Sequence, residues 1–111
     1  MKTALTEQQN KKLRKIFRPP LRHRIALRAI LRALRRSNKQ LSSQCDELEA
    51  AIDQGNIAEI TRIGYLYWQE LYDTNVMLLK ESDDMMRSLL TASWQAQNLL
   101  REWQKPKQPA A

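Results

Sequence analysis

The sequence predicts an all-α fold: a long antiparallel helical hairpin with a short helix in front, a two-to-three-helix bundle of coiled-coil type. Three observations point there. The 111 residues include only 2 Gly and 4 Pro, too few for the many turns of a sheet protein. Apolar residues recur along most of the chain at steps of four and three, the spacing of helices packed along their length. A single strong turn signal, Gln54-Gly55-Asn56, divides the long periodic stretches. A hydrophobic content of 42% is enough for one packed core, and residues 1–104 read as one helical domain.

Helix A is expected over 7–17. Thr6 and Gln9 have capping-box spacing, in which the hydroxyl and the amide side chain satisfy free amides at a helix start. Pro19-Pro20 is expected to end this helix, because the residue before a proline is pushed out of helical geometry.

Helix B is expected over 20–53, with Pro20 in the first turn, where a missing N–H costs nothing. Its seam is Leu27, Leu31, Leu34, Asn38, Leu41, Cys45, Leu48 and Ile52, a strict 4-3 alternation. Asn38 is the one polar member. It has two readings: a buried polar group that fixes register, or a residue at a solvated edge.

Gly55 can take the left-handed conformation that closes a helix, and Asn56 with Glu59 has capping-box spacing for the next. Helix C then spans 57–104, roughly 70 Å if continuous. Breaks are expected at Asp73-Thr74-Asn75 or at Ser82-Asp83-Asp84, both of which resemble local N-caps. Helix C is longer than helix B, so it should overshoot B, and helix A is the right size to pack on its C-terminal part. Residues 105–111 read as a disordered tail.

Charge carries the functional information. Residues 1–45 hold 13 Lys and Arg and one acid, Glu7, for +12; residues 46–111 carry −5. A +12 block needs an anionic neighbour: nucleic acid, an acidic protein face, a phospholipid surface, or the chain's own acidic part. On helix B, Arg24, Arg28, Arg32, Arg35, Arg36 and Lys39 fall on one side, opposite the leucine seam. Helix A and the hinge add Lys11, Lys12, Arg14, Lys15, Arg18 and Arg22. A merely solvated face mixes signs, because like charges at i, i+4 repel. Arginine predominates, and its planar fork suits phosphate oxygens.

These twelve residues are therefore the expected nucleic-acid contacts. No helix-turn-helix, zinc, RNP or GxxG pattern is present, so sequence-specific readout is not expected. The role this implies is a small accessory protein in a nucleic-acid-processing complex. The alternative is an interaction module (adaptor, inhibitor or assembly chaperone) docking on an acidic partner. An anionic membrane surface is a less favoured ligand, because the apolar seam runs on into the acidic residues 46–53.

Six of the seven aromatics lie between residues 65 and 103. Tyr65, Trp68, Tyr72 and Val76 belong to a second apolar stripe on helix C, with Leu79, Met86 and Leu90. One helix partner cannot cover both stripes, so these four are the expected contact with a protein partner or a second copy. Base stacking by aromatics beside cations is a further possibility, with ordinary core packing as the plainer one. Asp46, Glu47, Glu49, Asp53 and Glu59 should form an acidic tip at the hairpin turn, without the ligand spacing of a metal loop. His23 stands among arginines with no nucleophile signature, and 2 Gly cannot build a phosphate-binding loop. No catalytic residue, metal site or cofactor is expected. The lone Cys45, the absence of an apolar leader and the absence of a membrane-length apolar run together suggest a cytoplasmic protein.

Overall fold

The computed structural model describes residues 5–75 and 80–105, with side chains at 5–72 and 82–105. The described residues are all-helical. Five α-helices follow in the order α1 (Glu7–Leu21), α2 (Arg24–Ser37), α3 (Ser42–Gln54), α4 (Ile57–Asn75) and α5 (Lys80–Gln104), with a short 3-10 turn, Lys39–Leu41, between α2 and α3. No helix among them is long and apolar enough to cross a membrane.

The Thr6–Gln9 capping box starts α1: Gln9 N–H donates to Thr6 Oγ1 at 3.1 Å and Thr6 N–H donates to Gln9 Oε1 at 2.9 Å. The predicted stop at Pro19-Pro20 is not where α1 ends. Both prolines lie inside it, and Pro20 is buried. Their fixed φ suits a helix; their missing N–H groups remove the two i→i−4 bonds to Lys15 and Ile16 C=O, a loss confined to the last turn and accompanied by the burial of Pro20. The helix closes just beyond them, where Arg22 N–H donates to Arg18 C=O and His23 N–H to Pro20 C=O.

The expected single helix over 20–53 is two helices. Asn38 is not a buried register-setting residue in a continuous helix; it is half-buried and stands at the end of α2. Its backbone is extended (φ −137°, ψ 98°), its N–H closes α2 on Leu34 C=O, and its Oδ1 accepts from Gln40 N–H at 3.0 Å. An Asn side chain that bonds the backbone two residues on offers the chain a turn in place of helix. The chain reverses there, and α3 packs antiparallel on α2.

The turn at Gly55 forms as the sequence suggests, with φ +64° and the two main-chain bonds of a Schellman motif: Asn56 N–H to Ala51 C=O at 2.9 Å, and Gly55 N–H to Ile52 C=O at 3.1 Å. Half of the second capping box is present. Asn56 Oδ1 accepts from Glu59 N–H at 3.2 Å. Asn56 N–H is already spent on closing α3, so the Glu59 carboxylate turns to Arg62 instead, at 2.7 Å.

Helix C is also two helices. Of the expected break sites, 73–75 is the end of α4, while Ser82-Asp83-Asp84 lies within α5; Val76 lies outside the described residues. Helices α4 and α5 pack antiparallel, and the long axis of the molecule is 53 Å, short of what a continuous helix C would need. Helix α1 lies along α5, but not for the reason expected, since there is no continuous helix C to overshoot helix B. The residues expected to form a disordered tail fall, beyond Lys105, outside the described part.

One core serves all five helices. Phe17 of α1, Leu27, Leu31 and Leu34 of α2, Leu48 and Ile52 of α3, Ile60, Ile63 and Leu71 of α4, and Met86 and Leu89 of α5 are almost wholly withdrawn from solvent. Helices α4 and α5 approach closely at Gly64. A Cβ there would stand 2.2 Å from Ser93 Oγ and 2.6 Å from Ser93 Cβ. Ser93 is fixed in turn, with its hydroxyl within hydrogen-bond distance of Ile60 C=O (3.2 Å) and Leu89 C=O (3.1 Å).

Two expectations follow. Gly64→Ala cannot be relieved by turning the Ser93 side chain, because Ser93 Cβ itself is in the way. Chemical denaturation should show a loss of about 1–3 kcal/mol, the usual cost of overpacking. The Cys45 thiol is buried in the α2–α3 core, and burial pushes its pKa up to about 11, with Asp46 adding to the effect. Thiolate is the reactive form. At mildly alkaline pH a thiol reagent should therefore label the native protein orders of magnitude more slowly than the unfolded chain.

Candidate nucleic-acid interface

Helix α1 turns Leu13, Phe17 and Pro20 into the core. At 100° per residue, Lys11, Arg14, Lys15, Arg18 and Arg22 then fall within about 100° of arc on the opposite side. All five are exposed, and Lys12 stands exposed on the flank. None of the six forms an ion pair among the described residues. From Lys11 to Arg22 this cationic face extends roughly 16 Å. The core residues hold the helix in place despite the repulsion of like charges along it.

Helix α2 differs from the expectation. Three of its arginines are paired with acids of α3. Arg28 Nη1 lies 3.0 Å from Asp53, Arg32 Nε 2.8 Å from Glu49, and Arg35 Nη1 2.6 Å from Asp46, while Glu49 also stands 3.6 Å from Arg28 Nε. Residues 28, 32 and 35 ascend as 53, 49 and 46 descend, which is the register of an antiparallel pair. The hydrogen bond to Asp46 raises the Arg35 pKa further, and the Asp46 charge adds to it. The basic block is thus partly neutralised by the chain's own acids. Arg24, Arg36 and Lys39 are exposed and form no ion pair among the described residues.

The acidic tip is correspondingly not free. Asp46, Glu49 and Asp53 are committed to α2, while Glu47 and Glu59 pair with Arg62 at 3.5 and 2.7 Å. The hydrogen bond from Arg62 holds the Glu59 carboxyl below the usual range. Among the described residues no group of three His, Cys, Asp or Glu is placed to hold a metal ion.

Tyr65, Trp68 and Tyr72 lie on the flank of α4 that faces α5, and there they meet residues the sequence analysis did not single out. Arg87 donates to Tyr72 Oη at 2.7 Å and to Asp83 at 3.2 Å, and its guanidinium stands 5.5 Å from the centre of the Tyr72 ring. The bond to the Tyr72 hydroxyl is the main reason that the Arg87 pKa is raised. Arg101 donates to Tyr65 Oη, with its guanidinium 4.7 Å from the ring centre. The Tyr72–Arg87 pair forms one side of a groove of about 410 Å³ lined also by Trp68, Leu90, Thr91 and Trp94; Tyr65 and Arg101 do not line it. Trp68 is 44% exposed and Trp94 51%. Trp103, by contrast, is half-buried against the core. A signal for this face was present in the sequence: Arg87, Trp94 and Arg101 recur every seven residues, which sets them on one side of a helix.

A second groove, between α1 and α5, brings Ile16, Pro19 and Pro20 against Asp84, Ser88 and Gln95. It shares Arg87 and Thr91 with the first. Comparison with known proteins finds no matching family model, no matching curated protein and no matching solved structure.

Proposed function

We propose that the protein binds nucleic acid through the phosphate backbone, without strong sequence preference, as an accessory component of a nucleic-acid-processing complex in the cytoplasm. The contact surface is α1 with the elbow into α2: Lys11, Lys12, Arg14, Lys15, Arg18, Arg22 and Arg24, with Arg36 and Lys39 at the far end of α2. The observation that supports this reading is the outward face of α1, which gathers five cations and has no carboxylate paired to it among the described residues. Arg28, Arg32 and Arg35 act mainly inside the fold. No catalytic step is assigned.

A second reading, docking on an acidic protein, draws on Ile25. This side chain is 80% exposed, and helical spacing puts it on the side of α2 that carries Arg32 and Arg36. A phosphate backbone makes no use of an exposed isoleucine, whereas an amphipathic acidic partner would.

The two readings separate in a binding assay with labelled oligonucleotides across a salt series. On the nucleic-acid reading, affinity falls steeply with salt; contact with about six phosphates gives a log–log slope of roughly −5 on duplex DNA. Lys15→Glu with Arg18→Glu should remove most of that affinity while leaving helicity intact. Glu49→Gln with Asp53→Asn should strengthen binding at low salt, because it unties Arg28 and Arg32. Absence of binding even at low salt would refute the reading and leave the acidic-protein partner, to be sought with Ile25→Ala as the control in pulldowns.

A further inference from the structure

We propose that the α4–α5 face is a stacking site for unpaired nucleobases, so that the nucleic acid taken by this protein is single-stranded. The inference rests on the phosphate-binding reading above and adds the class of nucleic acid. Trp68 and Trp94 come from facing helices, line one groove, and each leave about half of their surface in water. A large exposed aromatic pair has a flat apolar face to offer, and every unpaired base has one to set against it. Bases inside a duplex are stacked on each other and have no free face, so such a groove discriminates by strandedness and not by sequence.

The groove is mostly apolar, as a stacking floor for bases would be, and two arginines stand on α5 near it. Arg87 and Arg101 stand seven residues to either side of Trp94, about 10 Å away along α5 in each direction. Each guanidinium rests on a tyrosine ring and is held by that tyrosine's hydroxyl. This fixes the two cations at the ends of the aromatic strip before any ligand arrives. Arg101 has no carboxylate partner among the described residues, and Arg87 is shared with Asp83. The second groove continues from Arg87 and Thr91 to Pro19 and Pro20, at the end of α1 that bears Arg18 and Arg22. Arg18 and Arg22 do not line this groove, so a single strand on the aromatic strip would have to pass around the end of α1 to reach them. Among the described residues Asp84 is the one acid lining that passage, and it opposes a phosphate there.

The test compares a labelled oligothymidine with a duplex of equal length, using the full chain, and follows binding by anisotropy and by quenching of tryptophan fluorescence. The single strand should bind at least about tenfold more tightly than the duplex and quench the fluorescence. Trp68→Ala and Trp94→Ala should each cost the single strand about tenfold while leaving duplex affinity unchanged. Trp68→Tyr, which keeps a stacking face, should restore most of the loss, and Asp84→Asn should tighten single-strand binding. Equal affinity for both strands, with the tryptophan variants unaffected, would overturn the stacking site and leave the phosphate reading standing. No binding of either oligonucleotide would overturn both. Loss of self-association in Trp68→Ala by sedimentation, with oligonucleotide binding intact, would overturn the stacking site and assign the groove to a second copy of the chain.

Discussion

The reversal of the chain at Asn38 is the constraint on which the remaining architecture depends. Had the helix continued, the leucine seam of residues 27–34 and that of 41–52 would have formed one long stripe needing a long partner. The extended backbone at Asn38 and the 3-10 turn after it fold the second half of the stripe onto the first. Leu27, Leu31, Leu34, Leu48 and Ile52 then meet in the shared core, almost wholly out of solvent. Each such side chain contributes about 1.5–3 kcal/mol on burial. The ion pairs that run beside this core lie at the solvent edge, where a pair contributes about 0–1 kcal/mol. The leucines therefore hold α2 and α3 together, and the arginines and acids fix which residue stands opposite which.

That pairing also redistributes the field of the molecule. Linear charge counting places the strongest positive stripe on residues 24–39. Folding sets Asp46, Glu49 and Asp53 beside Arg28, Arg32 and Arg35, and the unpaired positive charge is left on α1, on the elbow and at the far end of α2. Of the twelve cations the sequence marked for phosphate contact, nine form no ion pair among the described residues. The three that do are the central members of the predicted stripe. A charge block in a sequence measures how much positive charge must be balanced. Which part of it faces outward depends on where the chain turns back.

What was legible in the sequence was local chemistry. The Thr6–Gln9 box and the Gly55 turn involve residues within a few positions of each other, so no tertiary knowledge is needed to read them. The buried faces were legible too, since a 4-3 spacing identifies the side of a helix that is covered. It does not identify what covers it. One long helix on a distant partner and two short helices folded on each other leave the same apolar pattern, which is why the break after Ser37 was missed and the one at Asn75 was signalled only by the capping-type residues Asp73-Thr74-Asn75. The stop at Pro19-Pro20 failed for a different reason. A proline removes its own bond to the carbonyl four residues back; here that loss falls on two carbonyls of the last turn only, while Phe17 and Pro20, buried against the core, keep the turn helical. The aromatic site was half legible. Tyr65, Trp68 and Tyr72 stood out, with Leu90 in the same apolar stripe, but Arg87 and Trp94 join them only when α5 folds back along α4.

Helix α5 shows what the fold requires and what it does not. It is the one helix packed along both α1 and α4, and small residues (Ala92, Ser93 and Ala96) line its buried side, so that two neighbours can approach at once. Positions facing those neighbours are dictated by packing: Gly64 and Ser93 could hardly be larger. Trp94 is not so constrained. It lies on the flank towards α4 but reaches past the covered surface, and a polar residue there would leave the core intact while sparing the exposure of a large apolar ring. The same holds for Trp68 across the groove. Arg87 and Arg101 likewise contribute little to the core, yet each is held by a ring and a hydroxyl at a defined place. Stability alone would not select two exposed tryptophans between two fixed arginines, so the arrangement is better explained by something the groove binds than by the folding of the chain.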